Sequence, residues 1–232
     1  MKPYLAAAEP LSLQAHPSLE QAKNGYAREN RLGVPVSNSR RIYRDPFSKP
    51  ELLCALGPFE AFCGFREPTI SVDLLHSIGG GASVLARLLT DHDLDHLLQY
   101  IFSGTEEIRI LLTDVVEACA QHDSPHAMWA TRLNTRYPND PAVVASLLLN
   151  HVILSAGEAL YLDPGNLHAY LSGTGVEVMG SSDNVVRCGL TNKHVDINEL
   201  LATVIARPLP DPVLRPTPAS LWRASIVFGT FP

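Results

Sequence analysis

Gly157-Glu158-Ala159-Leu160-Tyr161-Leu162-Asp163-Pro164-Gly165-Asn166-Leu167-His168 is the stretch on which the fold turns. Ala159 to Leu162 is a short apolar run, Asp163-Pro164-Gly165 is a tight turn, and His168 opens the strand that follows. Strand, Pro-Gly turn and histidine in this order can aim an imidazole into a barrel. Taken alone, such a histidine is an ordinary core residue with a satisfied hydrogen bond. Working outward, Val152-Ile153-Leu154 precedes the unit. Val176-Glu177-Val178-Met179 and Val185-Val186-Arg187 follow it, each bounded by Gly, Ser, Asp or Asn. Short strands at this spacing predict an antiparallel barrel or jelly roll.

Upstream of His151 the period changes. Ile108, Leu111, Leu112, Val115, Val116 and Cys119 recur at the three-and-four spacing of a buried helix face, and Leu94, Leu97, Leu98 and Ile101 do the same one helix earlier. A further helix is predicted from Pro141 to about Leu149, with Asp140 as its N-cap. Before Thr69 the chain returns to short apolar pieces separated by turn-like clusters, Lys23-Asn24-Gly25 and Arg44-Asp45-Pro46. The order is strands, helices, strands: a β-barrel with a helical insert. From Pro208 the chain is Pro-rich and reads as irregular.

The bulk properties remove several classes of function. At 46% hydrophobic and 18% charged, the 232 residues fit neither a disordered chain nor a fibrous repeat. A net charge of −6 argues against a nucleic-acid surface, although a small anionic substrate needs only a few local cations. No apolar run is long enough to cross a bilayer, and no signal-peptide core follows Met1. Cys54, Cys63, Cys119 and Cys188 show no CxxC pairing and read as reduced thiols of a cytoplasmic protein.

Three segments carry chemistry. In Leu11-Ser12-Leu13-Gln14-Ala15-His16-Pro17, a strand would turn Ser12, Gln14 and His16 to one face and the apolar residues to the other. That polar face could equally meet solvent. Asp45-Pro46-Phe47-Ser48-Lys49-Pro50-Glu51-Leu52 would be an exposed loop in isolation. The third segment is the strand–turn–histidine unit, which is similar to the second cupin motif with Asp163 in place of a proline. Other clusters read more simply. His92 and His96 in Asp91-His92-Asp93-Leu94-Asp95-His96 belong to a solvated helix start, Gln121 to His126 to a loop, and Gly79-Gly80-Gly81 to a flexible turn.

Together the segments resemble the type I phosphomannose isomerases. The resemblance rests on S-L-Q-A-H-P from Ser12, K-P-E-L from Lys49, the run from Ala55 to Arg66, G-N-L-H-A-Y from Gly165, and the long motif from Gly175 to Lys193. It spans Leu5 to Leu201. It implies a mixed α and β fold: an incomplete, antiparallel cupin-like β jelly roll with a helical insert domain. The expected divisions are 1–70 and 150–206 for the β domain, 71–149 for the insert and 207–232 for an irregular tail.

It further implies one Zn2+ per chain, held by Gln14, His16, Glu51 and His168. Arg187 is the implied catalytic residue. Ser12, Lys49, Tyr170, Glu177, Asp183 and Lys193 are the implied substrate contacts. The expected reaction is the interconversion of mannose 6-phosphate and fructose 6-phosphate through a cis-enediol, with Glu177, Asp183 or metal-bound water as the base. The expected partner is a small sugar phosphate, with no nucleic acid and no membrane, and the chain is expected to be a monomer.

The sequence also departs from the family. Ser48 stands where a histidine usually precedes K-P-E, and Lys2 is displaced by one position from a family lysine near Pro3. Earlier strands and a further β domain are not matched. The chain is therefore expected to be the middle of a longer enzyme, inactive or nearly so in isolation. The alternative is a non-catalytic cupin that binds zinc or sugar phosphate without turnover. An iron oxygenase is disfavoured by Gln14, because such sites prefer histidines.

Overall fold

A computed structural model describes residues 4–216. Two short strands, β1 (Tyr4–Ala7) and β2 (Leu13–Ala15), lead into helix α1 (Leu19–Arg31) and strands β3 (Glu51–Ala55) and β4 (Phe59–Phe65). Six helices follow: α2 (Pro68–Ile78), α3 (Ala82–Asp91), α4 (Leu94–Ile101), α5 (Glu106–Cys119), α6 (Pro125–Arg136) and α7 (Pro141–Ala145). Strands then resume with β5 (Leu149–Leu154), β6 (Ala159–Leu162), β7 (His168–Met179) and β8 (Val186–Gly189). Helix α8 (Ile197–Thr203) and β9 (Val213–Leu214) complete the described chain. None of its helices is long and apolar enough to cross a membrane.

All strand pairs are antiparallel and form two sheets that share β7. The first half of β7 lies between β4 and β2, and its second half between β1 and β3. Gly173, at φ +122°, lies at the crossover, where a Cβ would come within 2.7 Å of the Phe59 Cα. A pairing irregularity opposite Glu60/Ala61 accompanies the change of sheet. The result is a barrel-like, cupin-type jelly roll with a helical insert.

Alternation along the strands separates two cores. Phe59, Ala61 and Cys63 of β4, Leu53 and Ala55 of β3, and Tyr170 of β7 fill the barrel interior. Phe62 of β4, Leu13 and Ala15 of β2, and Ala169 and Leu171 of β7 face the other way and join the larger core made with the helices. A polar junction reinforces that docking. Trp129 Nε1 and His151 Nε2 each approach Glu60 Oε1 to 2.6 Å, and Arg66 reaches His126 Nε2 at 2.6 Å and the Leu147 carbonyl at 2.6 Å.

Several expectations change. Lys23-Asn24-Gly25 is not a turn but the middle of α1, whose start is fixed by a reciprocal Ser18–Gln21 capping box. Gly25 is there because the Tyr43 ring packs against it; a Cβ would meet that ring at 2.3 Å. The helix at Pro141 is capped by Asp140 as expected but ends at Ala145, with β5 beginning at Leu149. His126 belongs to α6, capped by Ser124, rather than to a loop. Part of the expected irregular tail is ordered on the sheet: β9 pairs with β6, and Leu209 packs on the barrel core. Lys2 and the tail from 217 onward lie outside the described residues.

Candidate metal centre

The inward faces of three strands converge. Glu51 opens β3 in line with inward Leu53 and Ala55, and Gln14 points between the outward Leu13 and Ala15 of β2. His168 opens β7 directly opposite Gln14. His16 follows β2 and is itself buried. His16, Glu51 and His168 bring one donor atom each within 4.8 Å of one another.

Each imidazole gives its Nδ1 hydrogen to a main-chain carbonyl, His16 to Asn184 at 2.8 Å and His168 to Asn166 at 2.9 Å. Both Nε2 atoms therefore turn toward Glu51, at 3.0 Å for His16 and 3.6 Å for His168. Neither Nε2 makes a hydrogen bond among the described residues, and neither does Glu51 Oε2. A buried polar atom left this way costs about 1–3 kcal/mol. Burial pushes His168 down to about 4, so its Nε2 is a lone pair at neutral pH. For Glu51 burial acts upward, but His16, His168 and Lys49 outweigh it and hold the carboxyl at about 2. Lys49 Nζ supplies one positive charge, 2.8 Å from Glu51 Oε1. A carboxylate and imidazole nitrogens facing one another in a dry site fit a divalent cation with nitrogen and oxygen ligands, as zinc takes.

A cavity of about 550 Å³ opens over these groups. Ser12, Gln14, Lys49, Glu51, His168, Tyr170, Glu177, Arg187 and Lys193 all line it, whereas His16 stands behind its wall and Asp183 faces a neighbouring cavity. Ser12 Oγ donates to Gln14 Oε1 at 3.0 Å, and the Tyr170 hydroxyl donates to Glu177 Oε1 at 2.9 Å. Burial and the Glu51 charge raise the Glu177 carboxyl, while the Tyr170 hydrogen bond opposes them. Burial raises the Tyr170 hydroxyl well above its usual range.

Two contributions had no signal in the sequence. Arg136 and Tyr137, from the end of α6, form part of the cavity wall, and Arg136 pairs there with Glu9. Asn184 is fully buried, and its carbonyl orients His16. The Asn184 letter lies inside the Gly175–Lys193 motif, but a carbonyl's role cannot be read from a side-chain pattern. His92 and His96 stack at 4.1 Å on the insert and do not line the cavity.

The comparisons with known proteins agree with this geometry. The family model for the phosphomannose isomerase type I catalytic domain matches residues 2–68. A mannose-6-phosphate isomerase of Salmonella typhimurium is 41% identical over 213 residues, covering 89% of this chain and 54% of that protein. One from Escherichia coli is 41% identical over 207 residues, covering 86% and 52%. The crystal structure of the Salmonella typhimurium enzyme bound to its substrate and a zinc atom matches with a TM-score of 0.82 at 36% identity, covering 92% of this chain and 56% of that one. Its apo form matches at 0.83. The chain spans about half the length of the relatives it matches. In sequence and in fold the chain is similar to the type I phosphomannose isomerases.

Proposed function

We propose that the chain carries the zinc centre and sugar-phosphate pocket of an aldose–ketose isomerase interconverting mannose 6-phosphate and fructose 6-phosphate. The observation that carries this reading is the convergence of His16, Glu51 and His168, with unsatisfied atoms, beneath a cavity walled by Lys49, Arg187 and Lys193. Gln14, on the same inner face, is the fourth ligand we assign. When bound, zinc supplies electrophilic stabilisation of the sugar's C1 and C2 oxygens.

The chain's own residues account for the rest. A cis-enediol route moves one proton between C1 and C2, so it needs a base that takes and returns that proton. We assign this to Glu177, which lines the cavity with a raised pKa, rather than to Asp183, which does not line it. Tyr170 fixes one Glu177 oxygen and leaves the other free to face the sugar. Arg187 stays charged and steadies the developing enediolate, a task for a fork of donors rather than a base. Lys193 and Ser12, at the cavity wall, meet the phosphate.

The test joins metal analysis to a coupled isomerase assay on the purified chain and on His168→Ala. We expect one zinc per parent chain, little in the variant, and turnover, however slow, only in the zinc-loaded parent. Equal zinc in both proteins would overturn the metal assignment, and zinc without turnover, in this chain and in one extended to the relatives' full length, would overturn the isomerase assignment.

A further inference from the structure

Beside the metal pocket lies a smaller cavity of about 280 Å³. Arg187 and Lys193 line both spaces, so the two share a wall. The other charged groups around the smaller one are Arg41, Arg44 and Asp183, over an apolar floor of Ile42 and Val185. Arg41 is already engaged: its guanidinium bonds the Tyr43 and Val34 carbonyls and the Asn30 side chain, with Glu29 at 3.5 Å. Arg44, Arg187 and Lys193 have no ion pair among the described residues. Three uncompensated cations against the single carboxylate of Asp183 leave two positive charges around the cavity. That matches a phosphate dianion.

The arrangement is built rather than incidental. Asn184 Oδ1 accepts from the main-chain nitrogens of Arg44 at 2.7 Å and Asp45 at 3.3 Å. Its Nδ2 donates to the carbonyls of Asp45 at 2.8 Å and Phe47 at 2.9 Å. The loop bearing Arg44 is thereby clamped to the same buried residue that orients His16. Arg44 also stands close enough to Arg187 to add its repulsion to the effect of burial on that guanidinium. Like charges held together beside a cavity, with one carboxylate against three cations, favour an anion between them.

We propose that this cavity is a phosphate-binding subsite, with Arg44 as its dedicated ligand and Arg187 and Lys193 shared with the metal pocket. It goes beyond the isomerase reading and does not depend on it. The phosphate is either that of a sugar phosphate reaching through the shared wall or a free phosphate ion.

The test is calorimetric titration of the full, zinc-loaded chain with inorganic phosphate and, separately, with fructose 6-phosphate. Charge-assisted contacts of this kind predict that Arg44→Ala weakens inorganic phosphate binding at least about tenfold. Arg44→Glu should abolish it and Arg44→Lys retain most of it. Zinc content and the thermal midpoint should be unchanged in all three. Competition between the two probes for one site means that the sugar's own phosphate occupies the subsite; simultaneous binding means that it takes a separate phosphate. Absence of phosphate binding by the parent, or equal affinity in the parent, Arg44→Ala and Arg44→Glu, would overturn the proposal. A parent that binds phosphate, loses it in Arg44→Glu and yet shows no isomerase activity would count against the isomerase reading and not against the subsite.

Discussion

At Glu51 a single carboxylate faces two imidazole nitrogens, and the spatial neighbour that balances it is Lys49, two residues away in sequence. Arg187 lies opposite Gln14 in the β2–β8 pair and lines the cavity, where it can meet charge that develops on the substrate. Arg187→Ala should therefore lower turnover by about 10²–10³, the scale of one lost oxyanion donor, with zinc content unchanged. Steady-state kinetics beside metal analysis checks it; near-normal turnover would make Arg187 a structural residue. At this scale the sequence was informative where a side chain itself does the chemistry. Gln14, Glu51 and His168 sit on inward faces that alternation and motif both mark. Asn184 and Arg44 were not legible, because one acts through its carbonyl and the other through a fold-made neighbour of Arg187.

Among the elements, α6 and the β4–β5 pair meet through Arg66, His126, His151 and Glu60. Burial first, then the charges of Arg66 and His151, pull His126 from the usual 6.5 down to about 4. The unfolded chain takes up that proton near 6.5 while the folded chain refuses it until about 4. Stability from this group is thus complete above the higher value and lost as pH falls toward the lower. The loss amounts to at most about 3 kcal/mol, at about 1.4 kcal/mol per unit. Denaturant unfolding of the parent and of His126→Gln between these limits should show a steeper acid loss in the parent; parallel curves would refute it. Strand β7 gives the second prediction at this scale. Gly173→Ala places a Cβ against Phe59 at a φ that L-residues avoid, which should cost about 2–4 kcal/mol in the same assay. The helices α4 and α5 were legible because their apolar spacing is regular and long. Strand β7 was not, since Gly173 and Gly175 read as breaks where they serve close packing. Gly25 misled in the same way, because the Tyr43 ring that requires it lies elsewhere in the chain.

For the molecule as a whole, metal and fold should be linked. The proposed ligands come from β2, the residue just after it, β3 and β7, which belong to both sheets, so an ion bound only by the folded chain would tie the sheets together. At a thousandfold excess of zinc over its dissociation constant, the stabilisation is about 4 kcal/mol. Scanning calorimetry should show the thermal midpoint fall on chelation in the parent and stay still in His168→Ala. The shared strand has one more consequence. Before the irregularity opposite Glu60/Ala61, even-numbered β7 residues such as His168 and Tyr170 look inward. After it the odd ones do, and that is how Glu177 meets Tyr170 at all. The strand is therefore written in two phases, and its tolerance is for exchange of letters, not for a change in their number. Deleting one residue between Leu171 and Thr174 would swap inside for outside at every later position. His168 would keep its place while Glu177 was carried to the outer face, so such a chain should still collect zinc and no longer turn over sugar.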